Sequence, residues 1–288
     1  MIDPIFLVEA AVNGLLLGGV LALLALGLNL IFGVIDIVWI AYVDLVALCM
    51  YAVYFLVTHY GWPLWLAGLA SIVVGAALGA LVHLLIISPI LSSPPINQLL
   101  ATGGLLFFIQ SAATLLWSTD HRSVRVSFPT IEVGGIFISF TRLLAFALAI
   151  LAMIALYFFL TRTYTGTAIR AVSQDREAIA LMGARPHRLY LVTSAVGGAM
   201  AGVAGALLII QYAVHPYFGG AFGPLTFMIC VLGGLGNMVG AFAAAFIMAQ
   251  VISVGGVLVS TEMGYVIAFV IFIVLMFVRP GGIFARRA

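Results

Sequence analysis

The sequence predicts an all-α protein, a polytopic transmembrane helical bundle of about nine spans with eight as the alternative. Three observations predict it. Apolar residues make up 65% of the chain and charged residues 7%, against about 25% charged in an average soluble domain, so the chain cannot present a wettable surface. Apolar runs near the spanning length of about 20 residues succeed one another along all 288 residues. Glycines recur four apart inside those runs, at Gly14 and Gly18, Gly75 and Gly79, Gly198 and Gly202, and Gly236 and Gly240. That spacing puts two small residues on one helix face and lets a neighbouring backbone approach closely in lipid. The whole chain, 1–288, reads as a single transmembrane domain.

The spans follow in order. The first run, near 5–31, is a retained helix: MIDPIFLVEAAVNG has no basic n-region, and the run is too long for a signal-peptide core. The second lies near 38–57 and ends at THYGWP. The third, near 63–88, ends at SPILSSPP, and the fourth lies near 96–117. The polar stretch STDHRSVRVSFPTIEVGG separates it from the fifth, near 142–161, and a charged stretch precedes the sixth, near 189–212. After HPYFGG the seventh run, 221–234, is short for a full crossing; it is either tilted or a re-entrant half helix. GGLGN and VST set off the last two, near 237–258 and 262–279.

Charge gives orientation. There is no lysine, and of eleven arginines five lie in 162–188, with Arg279, Arg286 and Arg287 in the tail. Placing both segments in the cytoplasm puts an even number of spans between them, which supports counting the short seventh run. The N-terminus and the 118–141 loop then lie outside. A net charge of +2 is too small to suggest nucleic acid. Cys49 and Cys230 sit in apolar runs and read as small hydrophobes. No two of His59, His83, His121, His187 and His215 are spaced as a ligand pair on a helix, so no metal site is expected. Without a nucleophile elbow or a His-Glu-x-x-His motif, no catalytic residues are assigned.

The stretch GTAIRAVSQDREAIALMGARPHRLYLVT, together with Arg162, gathers seven of the twenty charged residues. Between 165 and 183 the pattern turns amphipathic. Ala168, Ile169, Val172, Ile179, Ala180 and Met182 form a stripe, Arg170, Asp175, Arg176 and Glu177 lie around it, and Gly183 is a stop. Two readings fit: an interfacial helix whose arginines meet anionic headgroups, or a docking element for a cytoplasmic partner.

TGTAIRAVSQDREAIALMGA resembles the coupling segment of ABC importer permeases, closest to the branched-chain amino acid permease family with its urea and amide relatives. Glu177-Ala178 followed by Gly183 matches that segment's Glu-Ala-Ala…Gly element. NGLLLGGVLALLALGLNLIFGVIDIV, LTFMICVLGGLGNMVGAFAAAFIMA and RPGGIF resemble other parts of the same family in the same order. The resemblance implies an ABC importer permease in the bacterial inner membrane. Its implied partners are two cytoplasmic ATPase subunits, a second, homologous permease subunit and a periplasmic binding protein. It makes 163–188 the coupling segment, with Arg170, Asp175, Arg176 and Glu177 as polar contacts and Ala178, Leu181, Met182 and Gly183 packing beside them. A P-loop needs a lysine on the phosphates, so this chain holds no ATP in that way; ATP and Mg²⁺ belong to the partners, and no cofactor is expected here.

Polar groups inside spans mark candidate substrate contacts. In DIVWIAYVD these are Trp39, Tyr42 and Asp44, the aromatics offering a ring face and a hydroxyl donor. The family pattern at this place reads Asn-Phe-Ala-His-Gly and then an acid; here only Ala41 and Asp44 match, which leaves the solute open among amino acids, urea, amides and aromatic acids. INQLLATGGLLFFIQ adds Asn97, Gln98 and Thr102; capping or bonding within their own helix is the alternative for each. Asn13 and Asn29 are expected to bond between helices, and His83 to bond a carbonyl. Arg122 and Arg125, in HRSVRVSFPTIEVGG, together with HPYFGGAFGP, are the outer surface on which a binding protein would dock.

Overall fold

The structure, a computed structural model, describes residues 4–124, 130–133, 136–175, 179, 181–183, 185–279 and 281–284. Its helices are α1 (Pro4–Ile35), α2 (Tyr42–Thr58), α3 (Leu64–Ile90), α4 (Pro95–Trp117), α5 (Phe140–Arg162), α6 (Tyr164–Val172), α7 (Pro186–Leu208), α8 (Phe218–Gly233), α9 (Met238–Leu258) and α10 (Thr261–Val278). Seven of the described helices are long and apolar enough to cross a membrane, and α2 and α8 are shorter apolar helices. The nine apolar elements expected are therefore all present. A small antiparallel hairpin joins α4 to α5: β1 (Thr130–Val133) pairs with β2 (Ile136–Ser139), Thr130 opposite Ser139. The fold is all-α apart from this outer ornament.

α1 is the axis of the bundle. Its middle, Leu21 through Ala25, is fully buried, and it packs on α9, α7, α5 and α8. α10 is the least buried of the spans. The apolar outer faces of α3, α4, α5 and α10 carry Leu69, Val73, Phe107, Phe108, Leu151 and Phe277 in the open, as spans facing lipid or a neighbouring subunit do. Lipid is as apolar as leucine, so burial alone does not join such helices; close packing and interhelical hydrogen bonds do.

Both devices are visible. α3 and α7 meet through Gly75, Gly79, Gly198 and Gly202, where an added Cβ would strike the facing backbone at each position. Ser71 seals the contact by donating to the Gly202 carbonyl at 3.0 Å. On the α1–α9 face, Gly14 and Gly18 make room for Gln250, Ser253 and Phe246, and Gln250 and Ser253 donate to the carbonyls of Ala11 (2.9 Å) and Ala10 (2.6 Å). The fourth expected pair is corrected: Gly236 lies outside any helix, in the α8–α9 turn, with φ +83° and its α-carbon against Gly33. Gly240 alone is helical there.

That turn is clamped from two sides. Asn29 accepts a hydrogen bond from the Gly236 N–H at 2.8 Å, so its expected bond outside its own helix goes to the backbone of the α8–α9 turn. Asn13 instead accepts from Arg142 at 2.7 Å. From below, the Ile283 N–H donates to the Leu232 carbonyl (2.8 Å) and Asn237 donates to the Phe284 carbonyl (2.7 Å), fixing the RPGGIF tail.

Candidate functional site

Two helices start inside the bundle instead of at its surface. After α1, residues 36–41 run back non-helically before α2 begins, with Asp36 in the left-handed region at φ +64°. Tyr42, the first residue of α2, donates to the carbonyl of Gly197 at 3.0 Å, and Gly197 stands at the middle of α7. Gly27 makes the space for the Tyr42 ring. α8 likewise starts at Phe218 after the non-helical stretch that follows α7. The two starts meet, because the carboxylate of Asp44 occupies the place a side chain at Gly219 would take. Asp44 is fully buried and accepts a 3.0 Å hydrogen bond from Gln110 of α4. Helix N-termini carry partial positive charge, so a carboxylate where two of them converge is held by both dipoles and by the amide.

Beside this junction lies a cavity of about 380 Å³ whose lining includes Leu28, Trp39, Tyr42, Gln110, Gly220, Gly223, Pro224 and Phe227. Trp39 is only 1% exposed, and its indole N–H has no acceptor among the described residues. The Trp39 and Tyr42 rings meet edge to face, centroids 6.0 Å apart. Of the residues expected on a substrate path, Trp39 and Tyr42 line the cavity and Asp44 stands directly behind it. The other three do not line it. Gln98 caps the C-terminal end of α3, donating to the Ile90 carbonyl at 3.3 Å and to the Ser93 carbonyl beyond it at 3.0 Å. Thr102 is buried and donates to the Val38 carbonyl at 3.0 Å, pinning the 36–41 segment to α4. Asn97 lies exposed near the start of α4. Sequence reasoning missed Gln110 as a partner of Asp44 and missed the glycines of α8. The signal for the latter was GGAFGP, glycine spacing ahead of a proline inside a short apolar run.

At the arginine-rich end, α6 lies across the bundle. Thr163 caps it by accepting from the Gly166 N–H at 3.0 Å, and Gly166 presses on the last turn of α5. Ile169 and Val172 are buried, whereas Arg170 is exposed. Arg170, Ser173 and Gln174 border a second cavity of about 810 Å³, shared with Asn29, Asp36 and Gly236. Beyond α6, Leu181 and Met182 are 90% and 83% exposed, and Gly183 has φ +84°, the stop expected of it. Asp175 ends the turn after α6; Arg176, Glu177 and Ala178 lie outside the described residues.

At the opposite end the two loops expected to form a docking surface are one structure. Arg122 and Val214 exchange backbone hydrogen bonds of 2.9 and 2.8 Å, and the His121 and His215 rings lie 4.6 Å apart. The Arg122 guanidinium turns inward, donating to the Trp117 carbonyl at 2.7 Å and lying over Tyr54 and Phe55. It is a brace between loops. Arg125 lies outside the described residues. His83 is buried and shares a 3.0 Å hydrogen bond with the Ser194 hydroxyl, not the carbonyl expected. Cys49 and Cys230 are buried and unbridged.

Nine apolar helices, two of them starting mid-bundle beside a solute-sized cavity, define a multi-pass membrane permease. The chain belongs to the family described as branched-chain amino acid transport system / permease component, which matches residues 10–276. It is 27% identical over 293 residues to the high-affinity branched-chain amino acid transport system permease protein BraD of Pseudomonas aeruginosa, covering 96% of this chain and 95% of that one. It is 28% identical over 301 residues to the corresponding LivH of Escherichia coli, covering 98% and 96%. A probable LivH of Methanocaldococcus jannaschii matches over 98 residues at 33% identity, covering 34% and 31%. No solved structure matches the chain.

Proposed function

We propose that this chain is one of two transmembrane subunits of an ATP-driven importer in a bacterial inner membrane. It moves a small organic solute, a branched-chain amino acid first among the candidates, from a periplasmic binding protein to the cytoplasm. Two cytoplasmic ATPase subunits, carrying the ATP and Mg²⁺, supply the energy, and a second, homologous permease subunit completes the path. The observation that carries this reading is the uncovered apolar pair Leu181 and Met182 beyond the anchored helix α6. Exposed apolar side chains of that size, in a sequence stretch rich in charge, suit a groove in a partner. α6 is tied to α5 through Gly166 and Thr163, so a push on it reaches the spans on either side. Arg170, Asp175, Arg176 and Glu177 supply the polar contacts, and Ala178, Leu181, Met182 and Gly183 sit in the groove. The names of the BraD and LivH relatives support the choice of solute.

The test is reconstitution. Liposomes holding the complete set of subunits are expected to take up leucine only with ATP on the ATPase side, and Glu177→Lys is expected to uncouple hydrolysis from uptake while the protein still inserts. Full-speed, ATP-independent uptake by this chain alone would instead make it a channel or secondary transporter.

A further inference from the structure

We propose that the 380 Å³ cavity between α2, α4 and α8 is a recognition station for the transported solute. Its form suits a compact apolar body whose head group both accepts and donates hydrogen bonds. The proposal rests on the importer reading for its direction and energy source, and on the following geometry for its place.

Buried donors in proteins are almost always paired. Trp39 lines this cavity, is 1% exposed, and leaves its indole N–H unpaired. An acceptor on a guest is the partner it lacks. The complementary acceptor comes from α8. Pro224 stands inside that helix and has no N–H, so the carbonyl of Gly220 loses its usual partner four residues on. Gly220 and Pro224 both border the cavity. The pocket thus offers one unpaired donor, and a carbonyl that lacks its helical partner, between apolar walls that include Leu28, Val43 and Phe227.

The glycines of α8 keep this space open. In α3 and α7, glycine is required because a facing backbone fills the place of its side chain. At Gly220 and Gly223 a Cβ would meet nothing within 4 Å. Glycine weakens a helix by its own flexibility, and packing among the described residues does not require it at these two positions. Asp44 does not line the cavity; it holds the amide of Gln110, which does, and acts as a positioning residue. Ile40 and Phe227, on the lining, are exposed, so the cavity is open on that side.

The experiment uses the complete transporter in liposomes, with labelled leucine as the probe and isovaleramide and isovalerate as competitors that each keep part of its head group. Gly223→Leu is expected to lower uptake at least tenfold at wild-type levels of assembled complex and basal ATP hydrolysis, while Gly223→Ala keeps most of it. Trp39→Phe is expected to raise KM about tenfold, the worth of one neutral hydrogen bond, with a smaller change in kcat. The thiol of a Gly223→Cys variant, read against buried Cys49 and Cys230, is expected to react with a water-soluble methanethiosulfonate and to be protected by leucine. Wild-type transport by Gly223→Leu, or a thiol that leucine does not protect, overturns the proposal. The ATP dependence of the unmodified transporter is read separately: if leucine passes without ATP the importer reading falls, and the same variants still decide the cavity.

Discussion

The carboxylate of Asp44 sits where a side chain on Gly219 would be, so the first turns of α2 and α8 share one point deep in the bundle. The contact has no slack, because Gln110 holds the same carboxylate from α4 at 3.0 Å. Gly219→Ala is expected to destabilise the protein by about 1–3 kcal/mol through overpacking. Gln110→Leu, which strands a buried acceptor, is expected to cost about as much, and Asp44→Asn less, since two amides still pair. Thermal unfolding in detergent, followed by size-exclusion fluorescence, ranks the three. Equal melting temperatures for all would deny the junction its structural role.

The α3–α7 seam makes a second prediction. Gly198→Val forces a branched side chain into the backbone of Gly75 and is expected to prevent a folded, monodisperse protein. Gly68→Ala, whose new methyl would find only the Ala206 side chain at 3.7 Å, is expected to behave as wild type. Expression with a fluorescent fusion and gel filtration separates the two outcomes.

The seam also shows what was legible in the sequence. Lipid removes the hydrophobic drive between helices, so small residues at four-residue spacing must mark helix contacts, and three of the four pairs do. Gly236 was misread because the same residue type that allows close packing also makes tight turns, and spacing alone does not tell them apart. The spans were legible because unpaired backbone in hydrocarbon forces helix wherever apolar runs persist. The site was legible only in part. Trp39, Tyr42 and Asp44 announce themselves as polar groups in a span, yet Gln110 meets Asp44 across 66 residues of sequence, and no local pattern encodes that. Gln98 serves a helix end, the competing use that polar residues near a proline-rich turn commonly have, and Asn97 lies exposed beside it. The His121–His215 contact was invisible for the same reason: its members lie on different loops.

The cap of α6 gives a third prediction. Removing the Thr163 hydroxyl with Thr163→Val takes the acceptor from the Gly166 N–H and is expected to cost about 1 kcal/mol of local helix stability. Hydrogen exchange at Gly166 and Thr167 should accelerate roughly fivefold, with the spans unaffected. On the proposed coupling role, a frayed α6 is expected to transmit less of the ATPase stroke and to lower uptake per ATP hydrolysed in the complete transporter. An unchanged ratio alongside faster exchange would show that α6 is not the lever.

The two bridged loops that carry His121 and His215 supply the fourth. Burial, and then the neighbouring charge of His121, hold His215 below its usual range. The folded loops therefore prefer a neutral His215, whereas the separated loops take up the proton first. The stability that this preference contributes is present above the unfolded histidine pKa of about 6.5 and is lost as pH falls below it. Amide exchange at Arg122 and Val214, the backbone bridge beside the rings, is expected to rise between pH 7.5 and 5.5 beyond the intrinsic pH dependence of exchange. His215→Gln, which cannot charge, is expected to abolish that excess. If the bridge opens equally with pH in both proteins, the histidine pair does not hold the two loops together.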